Sequence, residues 1–253
     1  MRIALHETGE VGTRAGRILL AEARLDLLGL MHRRPGSRSE SRVRVVEDLG
    51  GCEVLVSDSV GDAERHAEAA LDAGISCVLW HDADGLGDRF GDAFRSAGRT
   101  LLVGANVACG LAPCLASHEA ARSEEVLDVM VAWTEPGRPR RRGEPIVFPE
   151  PVGALWARER SDGGDTRRFV APIDGEWAGA VAKVTAANRE AVVSRIVGVA
   201  DLAPHLEALA LAAGALAISE YGYGAARPED RAEDYLAAAL DAGLDVAAYS
   251  IET

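Results

Sequence analysis

Glycines follow the first apolar segment of the chain at short intervals. Ile3 to His6 reads as a strand, and the glycines come directly after it. Glycine lets the backbone approach a ligand closely, and the N–H groups that open a following helix bind anions. This turn therefore predicts a binding site for a dinucleotide pyrophosphate, and the alternative is a glycine-rich turn that binds nothing. The residues expected at the ligand are Gly9, Gly12, Thr13, Arg14 and Gly16.

Three basic residues follow the second predicted strand. Leu28 to Met31 is a short apolar run, and His32, Arg33 and Arg34 come next. A domain that binds NAD has an acidic residue here for the ribose hydroxyls, whereas guanidinium groups suit the 2′-phosphate of NADP. No acidic residue occurs between Met31 and Glu40. The sequence therefore favours NADP(H) over NAD(H), and the alternative is a solvated basic loop.

A short polar turn follows the third predicted strand. The buried-type run Glu53 to Ser57 ends in Ser57-Asp58-Ser59, directly before a predicted helix that starts near Asp62. Carboxyl ends of parallel strands meet at one edge of a sheet, where ligands bind. We expect Ser57, Asp58 and Ser59 to contact the ribose or the nicotinamide. The alternative for Ser59 is an N-cap of the next helix.

Two more polar groups follow the fourth and fifth predicted strands. His81 comes after Ser76 to Trp80, and Asn106 comes after Thr100 to Val103. A histidine beside the nicotinamide can move a proton, and an asparagine there can bind the carboxamide. The alternatives are a surface histidine and a plain helix cap.

Lys183 is the only lysine in the chain. It lies in a predicted strand, Glu176 to Ala186, whose alternation puts Lys183 on the face of Val181 and Thr185 and puts small apolar residues on the other face. A lysine near the reacting carbon can protonate or orient a carbonyl or imine. Lys183 is therefore a candidate catalytic residue together with His81, and the alternative is a lysine at a subunit interface or on the surface.

The order of elements predicts an α/β protein. Short apolar runs alternate with amphipathic stretches in the first half, which indicates a doubly wound parallel (Rossmann) sheet. The second half has longer strands and predicts an α+β domain built on a mixed sheet. We place the first domain at residues 1–122 and the second, for substrate and oligomerisation, at residues 123–253. The last helix and the strand Leu244 to Ile251 are expected to return to the first domain.

Three local predictions concern less regular parts of the chain. Arg17 to Leu27 is predicted as the first helix, after a glycine turn. Ser37 to Leu49 is predicted as a polar helix. Thr134 to Gly153 holds five prolines and is predicted as a long loop.

Composition limits the classes of function. The 253 residues carry a formal net charge of −13, which repels nucleic-acid backbones and anionic membranes. No segment has the length and hydropathy of a signal peptide or a membrane span, so a cytoplasmic protein is expected. The four cysteines form no C-x-x-C pair, and we expect no metal.

Several of these segments resemble one enzyme family. They are Gly12 to Arg17, Arg33, Val56 to Ser59, Ala69 to Leu79 and Gly104 to Gly110. Together they are similar to the dihydrodipicolinate reductase family and, more loosely, to homoserine and saccharopine dehydrogenases. The resemblance covers the first half of the chain well and the second half in outline. It implies a Rossmann domain that binds NADP(H), a substrate domain on a mixed sheet, and a homo-oligomer that associates through that sheet.

The chain also departs from that family. The family's His-His-x-x-Lys signature is absent after Val126 to Trp133, and its Gly-Thr-Thr-Gly turn is replaced by His81-Asp82-Ala83-Asp84. The leading hypothesis is hydride transfer from NAD(P)H to the C=O or C=N carbon of a small amino-acid-like or carboxylate metabolite. The alternative is a catalytically silent relative that binds a nucleotide or metabolite as a sensor or oligomeric partner.

Overall fold

The computed structural model describes residues 1–7, 9–31, 41–138, 142–160, 165–187 and 191–252, without the side chains of residues 251 and 252. Its strands are β1 (Arg2–His6), β2 (Leu27–Met31), β3 (Val43–Val46), β4 (Val54–Ser57), β5 (Ser76–Leu79), β6 (Thr100–Val103), β7 (Glu125–Pro136), β8 (Glu144–Val147), β9 (Ala154–Arg160), β10 (Thr166–Ile173), β11 (Trp177–Ala187), β12 (Val192–Leu202), β13 (Gly224–Ala226) and β14 (Ala247–Glu252). Its α-helices are α1 (Glu10–Ala21), α2 (Ala63–Ala73), α3 (Leu86–Ser96), α4 (Ala112–Ala121), α5 (Ala203–Ala217) and α6 (Ala232–Asp241). In this part of the chain, no helix is long and apolar enough to cross a membrane.

Seven parallel strands form the first sheet, which we call sheet A. Their order is β13-β6-β5-β4-β1-β2-β3. The chain moves from β1 to β2 on one side and then returns to β4 on the other, so the strand order reverses between β1 and β4. Open α/β sheets bind ligands at such a reversal, at the carboxyl ends of the strands. The predicted doubly wound parallel sheet is therefore confirmed.

Both faces of sheet A are covered, and the strand sequences show it. All four residues of β4 are buried, as expected for a central parallel strand. Val54 and Val56 pack in the core that holds α1 and α5. Leu55, which points the other way, packs in the core that holds α2 and α3. The helices thus fix the strands whose carboxyl ends carry the polar turns.

The second sheet, sheet B, has the order β14-β12-β11-β7-β10-β9-β8. β7 and β10 are parallel, and the other pairs are antiparallel, so the predicted mixed sheet is confirmed. Val131 and Ala180 of one face belong to the same core cluster as α4, α5 and the strands of sheet A. On the other face, Val181 packs with Phe169 and Phe148. Helices α4 and α5 therefore lie between the two sheets.

Three local predictions were wrong at this level. The predicted polar helix Ser37 to Leu49 contains the strand β3, because its run of β-branched residues pairs with β2. The first helix begins at Glu10 instead of Arg17, because Gly12 and Gly16 pack inside its first turns. The predicted loop Thr134 to Gly153 contains the end of β7 and all of β8.

The last strand does not return to the first sheet. β14 pairs antiparallel with β12 in sheet B, from Gly198 to Val193, so the expected return of Leu244 to Ile251 was wrong. The segment that does return is β13, which pairs with β6 at the edge of sheet A. Its Gly224 has φ +110, a conformation that favours glycine. The division at residues 122 and 123 stays a prediction.

Candidate functional site

The glycine turn forms the first turns of α1, directly after β1. Gly9 precedes the helix in an extended conformation. A β carbon at Gly12 would lie 2.9 Å from the Glu7 Cα, and one at Gly16 would lie 3.0 Å from Leu5 Cδ2. Gly12 and Gly16 therefore let the helix pass closely over the end of β1. Glycines have the same role in dinucleotide-binding turns.

Two N–H groups of this turn converge on one carboxylate oxygen. Asp58 Oδ2 accepts hydrogen bonds from Gly9 N at 3.2 Å and from Gly12 N at 2.9 Å. The Asp58 side chain is buried. A helix N-terminus favours an anion at this position, through both its free N–H groups and its dipole. The turn is thus built to hold an anion, and the anion in contact with it belongs to the chain itself.

Side-chain hydrogen bonds fix the backbone that carries Asp58. Ser57 Oγ lies 2.9 Å from His66 Nδ1 on α2 and accepts a hydrogen bond from Ser59 N at 3.1 Å. Ser59 Oγ accepts from Asp62 N at 3.2 Å, as a residue that caps a helix does. The groups of Ser57 and Ser59 that we expected at a ligand are therefore used inside the protein.

Thr13 and Arg14 also bond within α1. Thr13 Oγ1 donates to Gly9 O at 3.0 Å. Arg14 forms an ion pair with Glu10 at 2.7 Å, one turn earlier on the helix surface. Both side chains lie beside the turn, as expected, but neither points to an open anion site. Three further expected cofactor residues, His32, Arg33 and Arg34, lie outside the described residues.

His81 and Asn106 meet at the carboxyl ends of β5 and β6. Asn106 Nδ2 donates to Trp80 O at 2.7 Å and lies 3.3 Å from His81 Nδ1. Asn106 Oδ1 accepts from Cys109 N at 2.7 Å and so caps the π-helical turn that precedes α4. Burial lowers the pKa of His81, so the neutral ring is favoured, with Nδ1 as the acceptor. Asn106 therefore holds the His81 ring and has the cap role as well.

Glu207 is a residue of this site that the sequence analysis missed. It lies in α5, and its Oε2 accepts hydrogen bonds from Trp80 Nε1 at 2.8 Å and from Val107 N at 3.1 Å. Burial raises the pKa of Glu207, and these two hydrogen bonds act against that rise. The carboxylate ties β5, the turn after β6 and α5 together behind His81. The available signal was a single acidic residue in an otherwise apolar helix.

The structure does not bring Lys183 together with His81. Lys183 lies opposite Met130 and Ile196 in sheet B, on the same face as Val181. That face is turned away from α4 and α5. The predicted alternation of β11 is correct, but it directs Lys183 away from the carboxyl edge of sheet A. A catalytic role for Lys183 stays a prediction that this placement does not favour.

A small cavity lies between α4, β7 and β10 and reaches Ala108, two residues after Asn106. Its volume is about 130 Å³, and Trp133, Ser117, Arg168 and Glu229 are among its lining residues. Burial raises the pKa of the neighbouring Cys109 thiol, and the Asn106 hydrogen bond and the charge of Arg168 oppose that rise. The cavity thus combines an apolar wall with one cationic and one acidic side chain. Such a lining suits a small zwitterion.

The described residues contain no group of three or more side chains that would hold a metal ion.

Comparison with known proteins supports the same architecture. No family model matches the chain, and no curated protein matches its sequence. Solved structures do match. Saccharopine dehydrogenase from Saccharomyces cerevisiae aligns at 7% identity with a TM-score of 0.68, covering 99% of both chains. A mutant meso-DAP dehydrogenase from Clostridium tetani, solved with DAP, aligns at 14% identity with a TM-score of 0.63, covering 93% of this chain and 95% of the other.

A third similar structure is an engineered D-amino acid dehydrogenase bound to NADP+. It aligns at 16% identity with a TM-score of 0.61, covering 91% of this chain and 93% of the other. The chain thus shares its fold with these dehydrogenase structures. The expected resemblance to saccharopine dehydrogenase-like proteins is confirmed at the level of the fold.

Proposed function

We propose that the protein is an NAD(P)-dependent oxidoreductase that acts on a small amino-acid-like or carboxylate metabolite. The observation that carries this proposal is the turn after β1, where the N–H groups of Gly9 and Gly12 point to one anionic oxygen. This turn lies where the strand order reverses, at the edge where open α/β sheets bind dinucleotides. Similarity to dehydrogenases along more than nine-tenths of the chain supports it.

Residues at the carboxyl edge of sheet A would bind the cofactor and contact the reacting group of the substrate. The N–H groups of Gly9 and Gly12 would hold the pyrophosphate of the dinucleotide. The nicotinamide ring of the bound dinucleotide supplies the hydride. Neutral His81, whose Nδ1 accepts from Asn106, would donate a hydrogen bond from its Nε2–H to the carbonyl or imine of the substrate. A pyrophosphate oxygen could accept hydrogen bonds from the N–H groups of the turn. It would then have to occupy the position that the Asp58 carboxylate occupies in this structure.

The cavity beside Asn106 would bind the substrate. Arg168 would pair with a carboxylate, and Glu229 would accept from an ammonium group. Arg167, the neighbour of Arg168 on β10, points to the other face and pairs with Asp128 at 2.8 Å.

Arg168→Ala should raise KM for an amino acid or keto acid roughly tenfold or more, whereas Arg167→Ala should leave KM unchanged. Equal KM changes in both variants would contradict this assignment.

Purified protein should be titrated with NADPH and NADH while nicotinamide fluorescence is followed, and then assayed on a panel of amino acids, keto acids and imines. Oxidation or reduction of the nicotinamide on any member supports the proposal. Absence of both binding and turnover rejects it.

Preference for NADP(H) rests on Arg33 and Arg34, so Arg33→Ala should weaken NADPH binding far more than NADH binding.

A second candidate is a catalytically silent relative that binds a metabolite. Two observations favour it: Asp58 lies at the turn where a pyrophosphate would bind, and Lys183 lies away from His81. In this case, a metabolite would raise the melting temperature, no substrate would be turned over, and NADPH would have no effect. The titration and the assay together separate the two candidates.

A homo-oligomer and a cytoplasmic location also stay predictions. We place the subunit contact on the face of sheet B that carries Lys183, Ile196 and Tyr249, which lie side by side across β11, β12 and β14. Half of the Tyr249 side chain is exposed there. Light scattering after gel filtration should give a multiple of 26.6 kDa. Lys183→Glu together with Tyr249→Ser should shift it toward the monomer.

A further inference from the structure

The Asp58 carboxylate occupies the position, at the turn after β1, where a cofactor phosphate would bind. Its Oδ2 accepts from both Gly9 N and Gly12 N. A β carbon at Gly12 would lie only 2.6 Å from this oxygen, so the carboxylate fills the space over the turn. A phosphate oxygen and the Asp58 carboxylate cannot occupy that space at the same time. Two anions side by side in a partly buried site would also repel each other strongly.

The backbone of the loop that carries Asp58 is held on both sides. The backbone on its N-terminal side belongs to β4, which pairs with β1 on one side and β5 on the other. Ser57 is fixed by His66, and Ser59 is fixed by Asp62. Rotation about the Asp58 Cα–Cβ bond is therefore the simplest way to clear the turn.

We propose that Asp58 is an internal anion that closes the dinucleotide site, and that a dinucleotide binds only after this side chain has turned away. This inference rests on the proposed function. The closed form competes with the cofactor, so the observed affinity is the intrinsic affinity reduced by the fraction of molecules in which Asp58 has turned away. The site is then controlled by one side-chain rotation within the first domain, without any movement of the two sheets.

The test compares wild type with Asp58→Asn, Asp58→Ala and Asp72→Asn. The Asp58→Asn side chain keeps an oxygen that can accept from Gly12 N, so the turn stays folded while the charge is lost. Asp58→Ala opens the space completely. Asp72→Asn makes the same change on the exposed surface of α2 and serves as the control. Dissociation constants for NADPH and NADH are measured by nicotinamide fluorescence at constant ionic strength.

Asp58→Asn should bind the preferred dinucleotide roughly tenfold or more tightly than wild type, and Asp72→Asn should bind as wild type does. A change of less than threefold in Asp58→Asn, with wild type binding well, overturns the inference and leaves the proposed function in place.

A second measurement covers the case in which no variant binds a dinucleotide. Melting temperatures of wild type and Asp58→Ala are then recorded with inorganic pyrophosphate, against sodium chloride of equal ionic strength. Pyrophosphate should raise the melting temperature of Asp58→Ala by several degrees and leave wild type unchanged. That result supports the internal anion while rejecting the oxidoreductase. An Asp58→Ala protein that does not respond to pyrophosphate overturns the inference.

Discussion

Gly12 has to satisfy two neighbours at once. An added β carbon would lie 2.9 Å from the Glu7 Cα and 2.6 Å from Asp58 Oδ2. The Asp58 side chain can move, but the Glu7 backbone belongs to the chain just after β1 and cannot. We expect Gly12→Ala to lower the free energy of unfolding by about 1–3 kcal/mol, measured by urea denaturation. Gly61→Ala is a matched control from the same region, since its β carbon would meet nothing within 4 Å. Equal stability of the two variants would contradict the close approach.

Glu207 makes a prediction about pH. Burial raises the pKa of its carboxyl above the ordinary value of 4.5, so the folded protein binds this proton more tightly than the unfolded chain does. Its contribution to stability is therefore complete below pH 4.5 and is lost as pH rises through the folded-state pKa. Glu207→Gln removes this titration and can still accept from Trp80 Nε1. The stability of Glu207→Gln relative to wild type should thus increase with pH above 4.5 in denaturation curves. A difference that does not vary with pH would contradict it.

At the scale of residues, the sequence predicts identities better than partners. The polar turns after β1, β4, β5 and β6 were all found from local pattern, because a strand end followed by glycine or a polar residue is a local signal. The contact between Gly12 and Asp58 was not predicted, since it depends on the pairing of β1 with β4. The hydrogen bond from Trp80 to Glu207 spans 127 positions and needs the whole fold.

Among the elements, the turn after β6 carries the next prediction. Asn106 caps the π-helical turn and also donates to the Trp80 carbonyl. Asn106→Ala should lower the free energy of unfolding by about 1–3 kcal/mol, because two partly buried backbone groups lose their partners. Asn106→Asp should lose less, since it keeps an acceptor at a helix start that favours negative charge. In urea denaturation, the free energy of unfolding should be highest for wild type, lower for Asn106→Asp and lowest for Asn106→Ala. An alanine variant as stable as wild type would contradict the cap.

Elements with a strong local period were predicted well, and those fixed by their neighbours were not. The buried strand β4 and the alternating strand β11 follow from their patterns. β3 was predicted as helix because its four residues are stabilised by pairing with β2 rather than by their own sequence. β8, β9 and β10 are short or highly charged strands whose pairing only the folded sheet supplies.

For the whole molecule, the shared core predicts a single unfolding transition. One cluster joins Val56 of sheet A, Leu209 of α5 and Val131 of sheet B. Loss of either sheet would expose the apolar faces of α4 and α5. In Trp80→Phe, the remaining tryptophans all report on sheet B, and their fluorescence should change at the same urea concentration as the far-UV circular dichroism. Two separate midpoints would show that the sheets unfold independently.

The return of the chain through β13 has a consequence for biosynthesis. The edge of sheet A beside β6 and the helix α5 on its face come from residues after 200, long after the six other strands of that sheet have left the ribosome. Until those residues are synthesised, the edge of β6 in the nascent N-terminal half is unpaired, and the face of sheet A that α5 covers is exposed to solvent. Nascent chains of this protein should depend on holding chaperones until translation is almost complete.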